Sequence, residues 1–205
     1  MLQNFNFDLI VDVGANRGQF ALISRKYNPA ALIISFEPLE EAARIFKDVF
    51  KNDHGVIIKV CAIGQFKEKT LMHVSSADDS SSILPITASQ NKLFPGTTET
   101  EIREIDVFPL STAIEGNQIP VASLLKIDVQ GYEMEVLKGS VDKLWQFSHL
   151  YIECSFVELY KGQALAHQII NWLHTRNFEI CGVYNVYYDK NGRAIQGDFL
   201  FSQIK

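Results

Sequence analysis

The chain has only three cysteines in 205 residues, Cys61, Cys154 and Cys181. The number is odd, no pair has C-x-x-C spacing, and each lies in or at the end of an apolar, strand-like segment. That argues against a disulfide framework and against zinc, and predicts reduced, buried thiols. Long apolar runs are also missing: none approaches the ~20 residues that cross a bilayer. The N-terminus has neither a basic n-region nor an apolar h-region, so no secretion signal is visible and a cytoplasmic location is expected. Basic charge is scarce. Lys and Arg total 19 against 24 Asp and Glu, for a formal net charge of −5. The basic face of a nucleic-acid partner is therefore not expected, and no run of like charge marks a membrane-surface patch. The G-x-G-x-x-G fingerprint and the P-loop G-K-[ST] are absent as well.

Apolar residues, by contrast, make up 47% of the chain, enough for a packed core. No repeat, linker or low-complexity tail divides it, so residues 1–205 are expected to form one domain of α/β type. Residues 7–13 read as a strand buried on both faces, broken only by Asp12. A glycine turn follows, Gly14-Ala15-Asn16-Arg17-Gly18. Phe20, Ile23 and Tyr27 then mark one face of a helix, stopped at Asn28-Pro29. Residues 31–36 are a second strand. Ala42, Phe46, Val49 and Phe50 mark a second helix, and residues 56–61 a third strand. This β-α-β-α-β order predicts a parallel sheet with right-handed crossovers.

Residues 62–120 break that rhythm. Residues 70–74 and 102–108 read as short strands, 75–82 (SSADDSSS) as a polar loop, and 111–114 as a helical turn. Such a long insert is often functional. Parallel-sheet character returns at 123–129, followed by short helices at 132–137 and 141–145 and a strand at 149–154. Leu165, Ile169, Ile170 and Leu173 mark an amphipathic helix. Residues 178–184 and 198–202 are strands joined through Asn191-Gly192, so they should pair antiparallel.

Strand, glycine turn and helix together bring backbone N–H groups and a helix N-terminus up to a ligand. Asp12 places a carboxylate beside that turn, which repels a pyrophosphate and suits an ammonium or sulfonium. S-adenosylmethionine carries both. Glu37 closes the second strand, 19 residues after Gly18, where an acid accepts hydrogen bonds from ribose hydroxyls. A second cluster holds Lys126, Asp128, Gln130, Tyr132 and Glu133. Lys126 and Asp128 face one way on their strand and are costly there unless paired or functional. Glu153 stands similarly in its own strand.

In order, DVGANRGQF, SFEP, CAIG and LLKIDVQGYEMEVLKG resemble the FkbM-type methyltransferases. The resemblance runs from the first strand through Gly139 and more loosely to GDFLF. It implies a Rossmann-like class I methyltransferase fold: a doubly wound, seven-stranded, mostly parallel sheet with the last strand inserted antiparallel. It implies S-adenosylmethionine as cofactor. Asp12, Gly14, Asn16 and Gly18 would hold its methionine moiety and Glu37 its ribose. Cys61, Ala62 and Ile63 would flank the adenine, and Asp79 and Ser81 would approach the cofactor from the insert. The implied reaction is O-methylation of a small-molecule or carbohydrate hydroxyl. Asp128 and Glu133 are the first candidates for general base, with Glu153 and His73 behind them. No metal is assigned. A homo-oligomer is left open, since the N-terminal segment that covers the cofactor in many members of that family is expected to be missing here, or replaced by the 62–120 insert or a second subunit. A dinucleotide-dependent oxidoreductase and a non-catalytic nucleoside-binding module are the competing readings. A nucleic-acid methyltransferase is disfavoured, because Asp128-Val129-Gln130-Gly131 stands where an NPPY-type tetrapeptide would receive a flipped base.

Overall fold

A computed structural model describes residues 1–204, the side chain of Asp78 apart. The parallel half begins with β1 (Leu9–Val13), α1 (Gln19–Tyr27), β2 (Leu32–Phe36), α2 (Glu40–Val49) and β3 (Val56–Lys59). The insert follows as β4 (Ala62–Ile63), β5 (Glu68–Ser75), α3 (Ala88–Leu93), β6 (Glu99–Phe108) and α4 (Leu110–Ala113). The chain then continues through β7 (Ser123–Ile127), α5 (Glu133–Gly139), α6 (Val141–Leu144), β8 (His149–Ser155) and α7 (Ala166–His174), and closes with β9 (Phe178–Tyr188) and β10 (Ala194–Gln203).

The main sheet has seven strands in the order β3-β2-β1-β7-β8-β10-β9. β1 runs parallel to both β2 and β7, and β8 parallel to β7. β10 lies between β8 and β9, antiparallel to both. This is the doubly wound α/β arrangement expected from the sequence. The order reverses between β1 and β7, so their C-terminal ends diverge into the crevice where open α/β sheets hold ligands. All five residues of β1 are buried, as a central strand covered on both faces requires.

α1 seats itself differently from the expectation. Its buried residues are Ala21 and Ser24, while Ile23 and Tyr27 are 51% and 39% exposed. Small side chains let the helix lie close to the sheet, and the Phe20-Ile23-Tyr27 stripe turns toward a cavity instead. The helix starts at Gly18, whose φ is 97°. A Cβ there would come within 2.8 Å of Phe50 and 2.9 Å of Phe46, so no larger residue fits. In α2, Ala42, Ala43 and Phe46 are buried, whereas Val49 is 46% exposed.

The two strands read in the insert are longer than their sequence signal. They pair antiparallel from Glu68↔Val107 to Ser75↔Glu99 and form a second sheet, ordered β4-β6-β5. Its apolar face packs on Leu39 and Ala42, which ties the insert to the end of β2 and the start of α2.

Candidate active site

The sheet register assembles the site in two rows. Ser35, Asp12, Lys126 and Tyr151 are successive partners across β2, β1, β7 and β8. They therefore share one face of the sheet. Two residues further along, past the end of β7, the same face carries Asp128, then Glu153 on β8 and Asp198, the partner of Glu153 on β10. Strand alternation thus places three carboxylates side by side at the sheet's C-terminal edge.

The first row is a buried ion pair. Lys126 Nζ lies 3.0 Å from Asp12 Oδ1 and 3.8 Å from Asp128 Oδ2. It also donates to the carbonyls of Gly14 (2.7 Å) and Val13 (3.3 Å), so the ammonium clamps the glycine turn. Burial works against the Lys126 charge, but Asp12, Asp128 and Glu153 outweigh it and hold its pKa above the ordinary value. Burial pushes the Asp12 carboxyl up, with Lys126 opposing. The principal partner of Lys126 is Asp12, on the neighbouring strand. Asp12 is fully buried and lies outside the cavity lining, which corrects its expected place at the methionine moiety: it faces the lysine.

Above this pair opens a cavity of about 640 Å³, a size suited to a nucleoside-bearing cofactor and part of a second reactant. Of the residues expected to hold the cofactor, Gly14, Asn16, Glu37, Cys61, Ala62, Ile63, Asp79 and Ser81 all line it. Gly18 does not; it is the N-terminal cap of α1. Gly14 has φ 80°, and a Cβ on it would sit 1.8 Å from the carbonyl oxygen of Asp128. Only glycine lets β1 and β7 converge this closely. Asn16 also has a left-handed backbone, φ 46°. Its Oδ1 is buried and accepts no hydrogen bond among the described residues, an open acceptor where a cofactor ammonium would donate. Glu37 accepts from the amides of Asn16 and Leu39, each at 2.9 Å. Each of its oxygens keeps capacity for one more donor. Burial raises its pKa to about 7, against the pull of those two amides.

Among the candidate bases, Asp128 and Glu153 line the cavity and Glu133 does not. Glu133 is 3% exposed, and its Oε1 accepts from the amides of Val129 (3.2 Å) and Gly131 (2.9 Å). It braces the turn between β7 and α5, which corrects the base assignment. His73 stands on the second sheet, 2.5 Å from Glu99, and is likewise outside the lining. Gln130 joins the acids: its Nε2 donates to Asp128 Oδ1 (2.8 Å) and Glu153 Oε2 (3.0 Å). Tyr160 holds the amide in that orientation by donating to Gln130 Oε1 (2.8 Å). Gln130 reaches this position through a left-handed backbone, φ 56°. Gln196 donates to the other oxygen of Glu153 (2.9 Å). Burial, then the charges of Asp128, Glu133 and Asp198, push the Glu153 carboxyl far above the ordinary carboxylate range.

Several lining residues escaped sequence reasoning. Asp198 carried the same signal as Asp128, an acid within an apolar strand. Tyr151 and Asn185 had none, because what brings them in is the register of β8 and a left-handed residue within β9 (φ 48° at Asn185). Met1, Leu2 and Gln3, ahead of β1, also line the cavity.

The sheet order, with its antiparallel last strands, and the glycine turn at the end of β1 are those of the class I S-adenosylmethionine-dependent methyltransferases. Solved structures agree on the fold. The chain is similar to the Burkholderia thailandensis 1,6-didemethyltoxoflavin-N1-methyltransferase bound to S-adenosylhomocysteine, at TM-score 0.54 and 6% identity over 98% of this chain and 72% of that one. It is similar also to the Synechocystis magnesium protoporphyrin IX methyltransferase with bound S-adenosylmethionine, at TM-score 0.54 and 10% identity over 98% and 72%. Residues 12–180 match the methyltransferase FkbM domain, and the chain belongs to that family. Its cofactor is S-adenosylmethionine, which removes the dinucleotide alternative. Among sequence relatives, a 2-O-methyltransferase (NoeI) of Sinorhizobium fredii is 27% identical over 96% of this chain and 80% of the relative. A hexuronic acid methyltransferase (AglP) of Haloferax volcanii is 27% identical over 71% of this chain and 55% of its own length. No helix among the described residues is long and apolar enough to cross a membrane.

Proposed function

We propose that this methyltransferase acts on oxygen, at a hydroxyl of a sugar or other small molecule. The observation that carries the reading is the carboxylate row Asp128–Glu153–Asp198, opening into the same cavity as Gly14, Asn16 and Glu37. Two relatives' names, a 2-O-methyltransferase and a hexuronic acid methyltransferase, point to oxygen and to sugar acceptors.

When bound, S-adenosylmethionine supplies an electrophilic methyl group on a sulfonium. The chain's part is to align the acceptor and take its proton. Gly14 and Asn16 would hold the methionine end, with Asp12 and Gly18 supporting the turn from behind. Glu37 would bind the ribose. Cys61, Ala62 and Ile63 would flank the adenine, beside Asp79 and Ser81. Asp128 is the general base: its side chain is 38% exposed and one oxygen is held by Gln130. The hydroxyl proton passes to its carboxylate as the oxygen is alkylated. Burial and the neighbouring acids raise the Glu153 pKa, so its neutral form is favoured over that of an ordinary carboxylate, which lowers the repulsion in the row.

The test is transfer of labelled methyl from S-adenosylmethionine to a library of glycosides and small-molecule alcohols. Asp128→Asn is expected to stop transfer while S-adenosylhomocysteine still binds by calorimetry. Transfer that survives in Asp128→Asn would overturn the base assignment. Cofactor binding with label on no hydroxyl would point to the non-catalytic module.

A further inference from the structure

We propose that Asp198, Asn185 and Tyr151 form the acceptor subsite, and that it takes an uncharged pyranose through two adjacent hydroxyls. The inference rests on the O-methyltransferase reading and narrows its substrate. All three side chains line the cavity, from β10, β9 and β8. Asp198 Oδ2 accepts from Tyr151 Oη (2.9 Å) and from Asn185 Nδ2 (2.7 Å). These bonds fix the carboxylate in place, and its other oxygen, Oδ1, accepts none among the described residues. Asn185 Nδ2 gives its N–H groups to Asp198 and to Tyr151 (3.4 Å), so a fixed carboxylate oxygen stands beside an amide carbonyl oxygen, a combination that two neighbouring hydroxyls recognise by donating one to each.

The backbone supports a built feature. The β9–β10 pairing shifts register between Gln196 and Asp198, and Asn185 in β9 has a left-handed φ of 48°. Bulges and strained residues of this sort re-aim side chains at functional sites. The wall beside the three residues is aromatic. Phe20 stacks on Tyr151 with ring centroids 5.9 Å apart, and the half-exposed Ile23 and Tyr27 continue that wall. A pyranose presents a C–H face to such a surface while its hydroxyl edge meets the polar groups.

Charge disfavours an anionic acceptor. Asp79, Asp128 and Asp198 line the cavity together with the buried acids Glu37 and Glu153, and Lys126 is the only basic side chain among the described residues that does, with Met1, which bears the terminal ammonium, also in the lining. The Lys126 ammonium is already committed to Asp12 and to the carbonyls of Val13 and Gly14. A uronate or a phosphorylated sugar would meet an excess of like charge, so the acceptor proposed differs from the one named for the hexuronic acid methyltransferase among the relatives.

The test uses the protein loaded with S-adenosylhomocysteine and, as probes, a panel of neutral methyl hexopyranosides with the matching glucuronide and glucose 6-phosphate. Binding is read by saturation-transfer NMR, and methyl transfer by label from S-adenosylmethionine. Neutral glycosides are expected to bind, with the charged sugars weaker by about 100-fold. Asp198→Asn and Asn185→Gly are each expected to weaken glycoside binding about tenfold, with S-adenosylhomocysteine affinity unchanged. Glycine keeps the left-handed backbone at Asn185, so that variant tests the side chain alone. Equal or tighter binding of the charged sugars overturns the proposal and leaves the methyltransferase reading standing. So does label appearing only on non-carbohydrate alcohols. Cofactor binding with no label on any acceptor overturns both.

Discussion

Lys126→Met removes the one cation at the centre of the buried acids. In the wild-type chain its ammonium is 3.0 Å from Asp12, with side chains 7% and 0% exposed. With an effective dielectric constant near 20, one such pair is worth about 5–6 kcal/mol of attraction, most of it offset by the cost of burying both charges. Truncating one partner leaves that cost uncompensated, so the expected loss is about 3–5 kcal/mol of unfolding free energy. Within a total of ~5–15 kcal/mol this is large. The pH dependence has a defined sign. The folded pKa of Lys126 lies above its ordinary 10.5, so its contribution is fully present below that value and fades as pH rises through the folded one. In the variant, the raised Asp12 pKa means that stability is regained as pH falls through it toward 3.8, where the carboxyl is neutral. The gap between wild type and variant is therefore widest around neutrality and closes at both extremes. Adding Asp12→Asn removes the stranded charge and is expected to recover about 2 kcal/mol, leaving the lost bonds to the Val13 and Gly14 carbonyls. Urea unfolding followed by circular dichroism measures all three proteins. A loss below about 1 kcal/mol, or a double variant no more stable than the single one, would refute the account of Lys126 as counter-ion.

Glu133→Gln keeps the oxygen that accepts both amides, so stability within about 1 kcal/mol of wild type is expected, with turnover retained. Glu133→Ala strands two buried N–H groups and is expected to cost about 1–3 kcal/mol; loss of turnover in the Gln variant with cofactor binding intact would return Glu133 to the role of base. Because Glu37 ionises at about 7, S-adenosylhomocysteine affinity should rise across that pH. Glu37→Gln should flatten that dependence and weaken binding about tenfold, and calorimetry at two pH values decides it. Gly14→Ala drives a Cβ to 1.8 Å from the Asp128 carbonyl at φ 80°, whereas Gly96→Ala meets nothing within 4 Å at φ 94°. The first is expected to cost more than about 3 kcal/mol and the second about 1 kcal/mol, the strain of φ alone; equal thermal midpoints would contradict the close-approach argument.

The parallel half was legible because both period and punctuation were strong. An apolar run from Leu9 broken only by Asp12 and ending at Gly14, another ending at Glu37-Pro38, and SLLKIDV each carry a local signal of a two-sided buried strand. The insert was harder. Residues 76–98 separate β5 from β6, and pairing across that distance leaves little trace in local alternation. The same limit explains α1: its apolar stripe was visible, but not that Ala21 and Ser24 would face the sheet and leave the stripe to the cavity.

For the site, the chain's own pattern determined which residues were too costly to be incidental: Asp12, Lys126, Asp128 and Glu153 in apolar strands, and glycines where a turn must be tight. Burial of charge is a local expense, readable residue by residue. Their partnership was decided only by tertiary structure. Register across β1, β7, β8 and β10 sets Asp12 against Lys126, lines Asp128 up with Glu153 and Asp198, and turns Glu133 inward to brace its own turn. Which acid meets a lysine, an amide or a ligand depends on strand neighbours far apart in the chain, and no local pattern encodes that choice.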